Sequence, residues 1–371
     1  MKLSCTKDNL SQALALIGGI ANKSVNLPIL GNVLIKADSQ VAEIVATNLE
    51  LAVVSKLRAK IDEPGSFTVP ARTLADFVNL LAGEKVDIEL VDNELVVTCG
   101  KAVTKIKGSP ADDFPVVPVV QDGQGYVLPA EDLKIGLNQV IPALARHDIR
   151  PELAGVYFAF NTEYYKGLVL AATDSYRLAE KKLALSQGIE EFKTIVPGRT
   201  AQEIHHILSS VVGDEKNIRL LINENQLAIN YNDVQLVSRL VEGKYPDYTQ
   251  IIPKNFTTTV TFSTAQLIKE IKSASLFSTT GVNGVAFKFN TSGVVSINST
   301  STQTGEYQSE ISTDVSGQEN NILLNHRYLL DGLGNMRSEA IVMKLTNADS
   351  PCLVQPDKDD SYLYIVMPIR Q

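Results

Sequence analysis

The chain repeats itself at intervals close to one third of its 371 residues. A repeat on that scale restricts the fold to successive copies of one supersecondary unit. The tetrapeptide VPAR at 69–72 returns as VPGR at 196–199, 127 residues later. Each precedes a run with apolar residues spaced by three and four, TLADFVNLLAGE and TAQEIHHILSSVVGDE, the pattern of an amphipathic helix. NHRYLLDGLGNM is a third copy, with Arg327 lying 128 positions after Arg199. ATNLELAVVSK from Ala46 recurs 126 residues later as ATDSYRLAEKK from Ala172, and a degenerate copy lies near NSTSTQTGEYQSE.

The order of elements agrees within each third. An amphipathic helix opens it: TKDNLSQALALIGGIA, PAEDLKIGLNQVIPALA and STAQLIKEIKSASLFS, each with a Thr, Asp or Ser cap candidate near its start. Hairpins follow in VLIKADSQVAEIVA, VYFAFNTEYYKGLVLAA and VAFKFNTSGVVSIN, which alternate apolar and polar residues around polar turns. After the second helix come VDIELVDNELVVTC, turning at Asp92 and Asn93, then IRLLINENQLAINY and AIVMKLTNADSPCLVQ. Proline-bearing links near 112–120 and 244–255 place domain boundaries at 1–123, 124–254 and 255–371.

Composition excludes several classes. No apolar stretch approaches the ~18 residues of a membrane span, and MKLSCTKDNL lacks a signal-peptide core, so the expected location is the cytoplasm. Cys5, Cys99 and Cys352 are scattered, with no CxxC pair for zinc or redox exchange, and read as buried free thiols; no metal or cofactor is expected. The net charge of −8 opposes a uniformly phosphate-seeking surface but permits a local basic one. The six helical segments together carry about +1, leaving −9 for the remainder, and they contain all four histidines.

The motifs LPILGN at 27–32, EPG at 63–65, VPAR, DFP at 113–115, ATDSYRLA, VSRLVEGKYPDY at 237–248 and YIVMPIR at 364–370 share an order and spacing over the whole chain. In these the chain resembles the bacterial sliding clamps, the beta subunits of DNA polymerase III. The resemblance implies an α+β fold of three repeated DNA-clamp domains, each with two helices packed on antiparallel sheets, forming half of a closed ring. It further implies a head-to-tail homodimer around double-stranded DNA, nucleoid-associated and non-catalytic. Its partners would be the polymerase III alpha subunit, the clamp loader and other proteins with clamp-binding motifs. Twelve inner helices spaced ~9 Å apart would enclose a circle of about 34 Å, loose around a duplex. Sliding without sequence preference calls for sparse phosphate contacts.

By residue, the resemblance implies a partner-peptide cleft of Leu153, Thr173, Ser175, Tyr176, Arg177, Leu178, Pro246 and Ile251, closed by Val366, Met367, Pro368, Ile369 and Arg370. DNA contacts would be Lys23, Arg72, Arg146, Arg150 and Arg199. The dimer interface would join Lys101, Lys105, Ile106 and Lys107 to Leu276, Phe277, Glu306 and Glu310. Two departures bear on peptide preference: Ser175-Tyr176 stands where relatives often have Gly-His, and Gln250 occupies a position that can be basic. Two rival classes are a hydrolase using Asp174 and Ser175, and a secreted adhesion repeat. The first lacks a GxSxG elbow and a base close in sequence, and the second lacks a leader.

Overall fold

The computed structural model describes residues 1–21, 26–146 and 150–370. Lys23 lies outside the described residues. Six α-helices occur among those described: α1 (Lys7–Ile17), α2 (Ala71–Leu80), α3 (Ala130–Val140), α4 (Gly198–Ser210), α5 (Thr264–Ser275) and α6 (His326–Leu333). They begin where the pattern predicts and end earlier. α1 starts at Thr6, whose side chain accepts from the Asn9 amide at 3.2 Å, and it stops at the Gly18-Gly19 pair, where glycine is a poor helix former. Asn325 caps α6 by accepting from the amides of Arg327 and Tyr328, a cap that the Thr, Asp and Ser signals did not include. Ser263 occupies the cap position of α5 without making a side-chain cap bond.

The chain forms two compact units. The first comprises residues Met1–Glu131, Ser186–Ile189 and Glu203–Leu240. It contains a five-stranded sheet in the order Ala59–Glu63, Lys2–Thr6, Lys85–Val91, Glu94–Cys99, Ala102–Lys107. It also contains a nine-stranded sheet, in which Leu51–Leu57 from the first third pairs with Val234–Arg239 from the second. The second unit comprises Asp132–Leu185, Glu190–Gln202 and Val241–Gln371. It holds a four-stranded sheet in the order Gly305–Ser312, Val294–Ser301, Gly284–Asn290, Asn320–Asn325. In its own nine-stranded sheet, Arg177–Leu183 pairs with Tyr362–Val366.

The two long sheets are seamed alike. Val53 lies opposite Leu236 in one, and Ala179 lies opposite Tyr364 in the other, the positions the repeat makes equivalent. Backbone pairing across these seams ties strands of adjacent thirds into one ladder. The edges of the compact units consequently do not coincide with the breaks expected at 123/124 and 254/255.

Every hairpin expected from alternation is present, because one face of each strand is buried and a one-residue slip would expose it. Asp92 and Asn93 turn with φ of 46° and 61°, the paired left-handed values that a two-residue hairpin loop requires. α1 packs on α2, and α5 on α6. Leu10, Leu14 and Ile17 of α1, and Leu267 and Ile271 of α5, are fully covered. Burying each such side chain contributes ~1.5–3 kcal/mol before conformational entropy is counted. The three cysteines are buried and unpaired, and burial pushes the Cys5 and Cys352 thiols up to about 12, which keeps them protonated and inert at neutral pH.

Candidate partner-binding cleft and interfaces

The segment 172–178 folds as a strand, a tight turn and a second strand. The Thr173 hydroxyl donates to the Arg177 carbonyl at 2.7 Å and accepts from the Ser175 amide at 3.1 Å. The Asp174 carboxylate accepts from the amides of Tyr176 and Arg177, both at 3.0 Å. The first third makes the same turn. Thr47 donates to the Leu51 carbonyl at 3.0 Å and accepts from the Leu49 amide, while Asn48 accepts from the amides of Glu50 and Leu51. Leu49 and Ser175 both sit at φ 77°, a left-handed conformation costing an L-residue ~1–2 kcal/mol and relieved by glycine. Because each threonine is buried and makes two bonds, Thr47→Val and Thr173→Val are each expected to lower stability by ~1–3 kcal/mol. Thermal denaturation checks this, and a loss at one site but not the other would break the equivalence of the two turns.

Asp174 has a further task. Its Oδ2 receives Arg177 Nε at 3.0 Å, and Arg177 Nη1 donates to Asp331 of α6. The guanidinium also lies 4.6 Å from the centroid of the Tyr328 ring. Burial works against the Arg177 charge, but Tyr364, Asp331 and Asp174 together raise its pKa above the ordinary value. A buried guanidinium with two carboxylates fixes geometry rather than adding net stability. Arg177 therefore anchors α6 to the turn. Tyr176, in the turn, is 62% exposed and stacks at 6.3 Å on the same Tyr328 ring, and its carbonyl accepts from the Met367 amide at 2.8 Å.

Next to Tyr176 opens a cleft of about 690 Å³ lined by residues including Arg146, Arg150, Asp174, His326, Arg327 and Tyr328. Arg150 donates to the Ser175 hydroxyl at 2.7 Å. His326, which opens α6, is 8% exposed, and its buried Nδ1 has no hydrogen-bond partner among the described residues. Burial, and then the neighbouring Arg327, lower its pKa below the ordinary histidine value and leave the ring neutral at pH 7. Asp174 is consumed in folding the turn and holding Arg177, and Ser175 faces an arginine. The hydrolase reading loses its motivation, since the geometry of both residues is explained without chemistry.

The structure rearranges the expected cleft. Leu153, Leu178 and Val366 are core residues, not surface walls: Leu178, with no exposed area, packs with Leu153, Ile195, Tyr245, Tyr248 and Ile365. The reason is strand period. Arg177 and Leu178 point to opposite faces of a strand that is covered on both, so the motif spans surface and interior. Thr173 is likewise internal. Ile369 does not face Tyr176; its amide donates to the Leu323 carbonyl, and its side chain lies by the backbone of Gly284. Tyr176, Ser175, Pro246, Ile251, Met367, Pro368 and Arg370 retain accessible surface. Gln250 donates to Asp247 at 2.9 Å.

Two free sheet edges carry the expected dimer residues. Ala102–Lys107 ends the five-stranded sheet, with Lys101, Lys105 and Lys107 exposed. Ile106 is turned inward opposite Leu95 and is buried, contrary to its expected interface role; alternation instead puts Val103 outward, 61% exposed. Gly305–Ser312 ends the four-stranded sheet and exposes Glu306 and Glu310, with Phe277 stacked on Tyr307 at 6.1 Å and Leu276 70% exposed. Arg72, Arg199 and Arg327 occupy the second position of α2, α4 and α6, and all are exposed. A cation in the first turn opposes the helix dipole, so the local stability of these helices does not explain three arginines there.

Models of the DNA polymerase III beta subunit match the chain in three consecutive parts: its N-terminal domain over residues 1–118, its central domain over 127–247 and its C-terminal domain over 249–370. The chain belongs to the DNA polymerase III beta subunit family. The beta sliding clamp of Streptococcus pneumoniae R6 is 28% identical over 377 residues, covering 99% of this chain and 98% of the relative. That of Synechocystis is 28% identical over 392 residues, covering 100% and 99%. The solved DNA polymerase sliding clamp of Bacillus subtilis superposes with a TM-score of 0.93 at 26% identity, covering 100% of this chain and 99% of that one. The fold is accordingly three clamp domains of mixed helix and antiparallel sheet, as in other beta subunits. Sequence reading of this beta subunit missed His326, Tyr328 and Asp331 as lining of the cleft. Arg327 alone had a signal, its register with Arg72 and Arg199.

Proposed function

We propose that two copies of this chain close head to tail around duplex DNA and tether the replicative polymerase to it. The observation that carries this reading is the pair of complementary edges on a chain of three clamp domains. One edge is lined by Lys101, Lys105 and Lys107, the other by Glu306 and Glu310. Free edges pair with other chains, and opposite charges select the head-to-tail register over the self-pairing of like edges. Arg72, Arg146, Arg150 and Arg199 are the DNA contacts in this reading, meeting phosphates without reading bases. Tyr176, Pro246, Ile251, Met367 and Pro368 receive short motifs of the polymerase alpha subunit, the clamp loader and other partners. Methionine suits a surface that must accept several sequences, because it repacks at little cost. The protein acts in the cytoplasm and performs no chemistry of its own.

Topology supplies the test. Direct affinity for DNA is expected to be weak and to fall with salt, whereas protein loaded onto nicked circular DNA should persist at salt that strips it from linear duplex. Linearising the circle should release it. Equal, rapid loss from circular and linear forms would refute encirclement.

A further inference from the structure

The first unit carries a cleft of about 420 Å³ whose lining includes Leu49, Glu50, Pro115, Val116, Pro118 and Arg239. It repeats the backbone frame of the Tyr176 surface in the second unit. The Arg239 amide donates to the Glu50 carbonyl at 2.9 Å, as the Met367 amide does to the Tyr176 carbonyl at 2.8 Å. Glu50 and Tyr176 lie 126 positions apart, and Arg239 and Met367 lie 128 apart, the offsets that also relate the two strand seams. A buried aromatic followed by proline recurs too, Phe114-Pro115 standing for Tyr245-Pro246. Each unit therefore opens a groove on one frame, with different side chains set on it.

Apolar surface is left uncovered in the first-unit groove. Leu49 is 47% exposed and Val116 93%, and Val119, next after the lining Pro118, is exposed as well. Leu49 holds this position at φ 77°, where glycine would be unstrained. An exposed apolar cluster with a polar rim marks an interaction surface. The rim here is charged: Glu50 and Arg239 are both exposed, and neither side chain enters an ion pair or a hydrogen bond among the described residues. The chain's own link does not fill the groove, since residues 115–118 form its wall and the buried Phe114 and Val120 pin the link on either side.

We propose that this cleft is a second peptide-docking site, taking an extended segment of a partner protein whose apolar side chains sit between a basic residue and an acidic one. The apolar residues meet Leu49 and Val116, the basic residue meets Glu50, and the acidic residue meets Arg239. The inference rests on the reading of the Tyr176 and Met367 surface as a peptide cleft, which supplies the frame. The charges make the preference different. Tyr176 and Met367 offer apolar contacts, whereas Glu50 and Arg239 in their places select for charge and for the direction of the peptide. The arginine fork binds a carboxylate with two parallel hydrogen bonds, which fixes orientation as well as attraction. A chain with both clefts holds two unlike segments at once, and a partner carrying both gains the high effective concentration of a tethered second contact.

The test uses the full chain and three fluorescent eight-residue peptides with two central leucines: lysine before and aspartate after them, the reverse order, and serines in both places. One charged order should bind about fivefold tighter than the serine peptide, the contribution of two exposed ion pairs, and the advantage should fall at ~0.5 M salt. Tyr176→Ala combined with Met367→Ala should leave that advantage in place. Leu49→Asp should weaken the favoured peptide by about tenfold or more without changing affinity for the alpha-subunit segment. Leu49→Gly, which suits the left-handed turn, should do the same without lowering the melting temperature. Exchanging the charges, Glu50→Arg with Arg239→Glu, should make the other order the tighter one. Equal affinity for all three peptides would overturn the proposal. So would an advantage lost with Tyr176 and Met367 but kept in Leu49→Asp, which returns the binding to the second unit. A changed mass of Leu49→Asp in light scattering would assign the groove to contact between copies and overturn it as well. Should the alpha-subunit segment fail to bind wild type while the charged peptide still depends on Leu49, the Tyr176 reading falls and the first-unit site stands.

Discussion

Reversal of Lys101, Lys105 and Lys107 to glutamate is expected to convert the dimer into monomers at micromolar concentration, raising the dissociation constant by about a hundredfold or more. Lys105 and Lys107 project from the last strand of a sheet, alternating with half-buried Thr104 and buried Ile106, and Lys101 lies in the turn before it, so the change leaves the core of the five-stranded sheet intact. Circular dichroism should therefore be unaltered while light scattering reports half the mass. The charge-swapped counterpart, Glu306→Lys with Glu310→Lys, should also be monomeric alone. Mixed together, the two variants should dimerise, since a head-to-tail pair of them opposes unlike charges at both junctions. An unchanged dimer in the lysine variant, or no rescue in the mixture, would remove these edges as the interface. Val103→Asp offers an independent probe, because it places a charge on the same outward face.

Removal of residues 367–371 is expected to abolish binding of the alpha-subunit peptide while leaving the dimer whole. The deletion takes away the Met367 amide that holds the Tyr176 carbonyl and the Ile369 amide that holds Leu323. The tail thus loses its attachment to both the turn and the Asn320–Asn325 strand. Tyr176→Ala and Met367→Ala should each weaken the peptide roughly tenfold, in line with ~1.5–3 kcal/mol for an apolar anchor, and in combination they should be non-additive because they share one partner. Leu178→Ala should behave differently. Leu178 is enclosed by Leu153, Ile195 and Ile365, so its truncation leaves a cavity costing ~2–5 kcal/mol of stability. Titration of the labelled peptide, with a melting curve for each variant, separates the two roles. Full affinity in the tail deletion would reduce this stretch to domain packing.

Hairpins and helices were legible because their periods, two and near 3.6, are imposed locally by backbone geometry, and the 127-residue repeat confirmed each by its copies. The clamp family was legible for a related reason: motifs such as ATNLELA and ATDSYRLA encode turns whose hydrogen bonds reach only two to four residues, as at Thr47 and Thr173. Facing was less legible. Leu178 and Ile106 were expected at interfaces because neighbouring motif residues belong there, and strand alternation turned both inward. Val103, the outward residue of the same edge, carries its signal in that same alternation.

What the sequence by itself determined was the set of elements, their repetition and the family, all consequences of short-range stereochemistry repeated in order. What only the tertiary structure decided was which charged groups meet. Arg177 pairs with Asp174 three positions away and with Asp331 154 positions away, so one guanidinium joins the turn to α6. Electrostatic pairing depends on distance in space and on burial, and neither is carried by spacing along the chain.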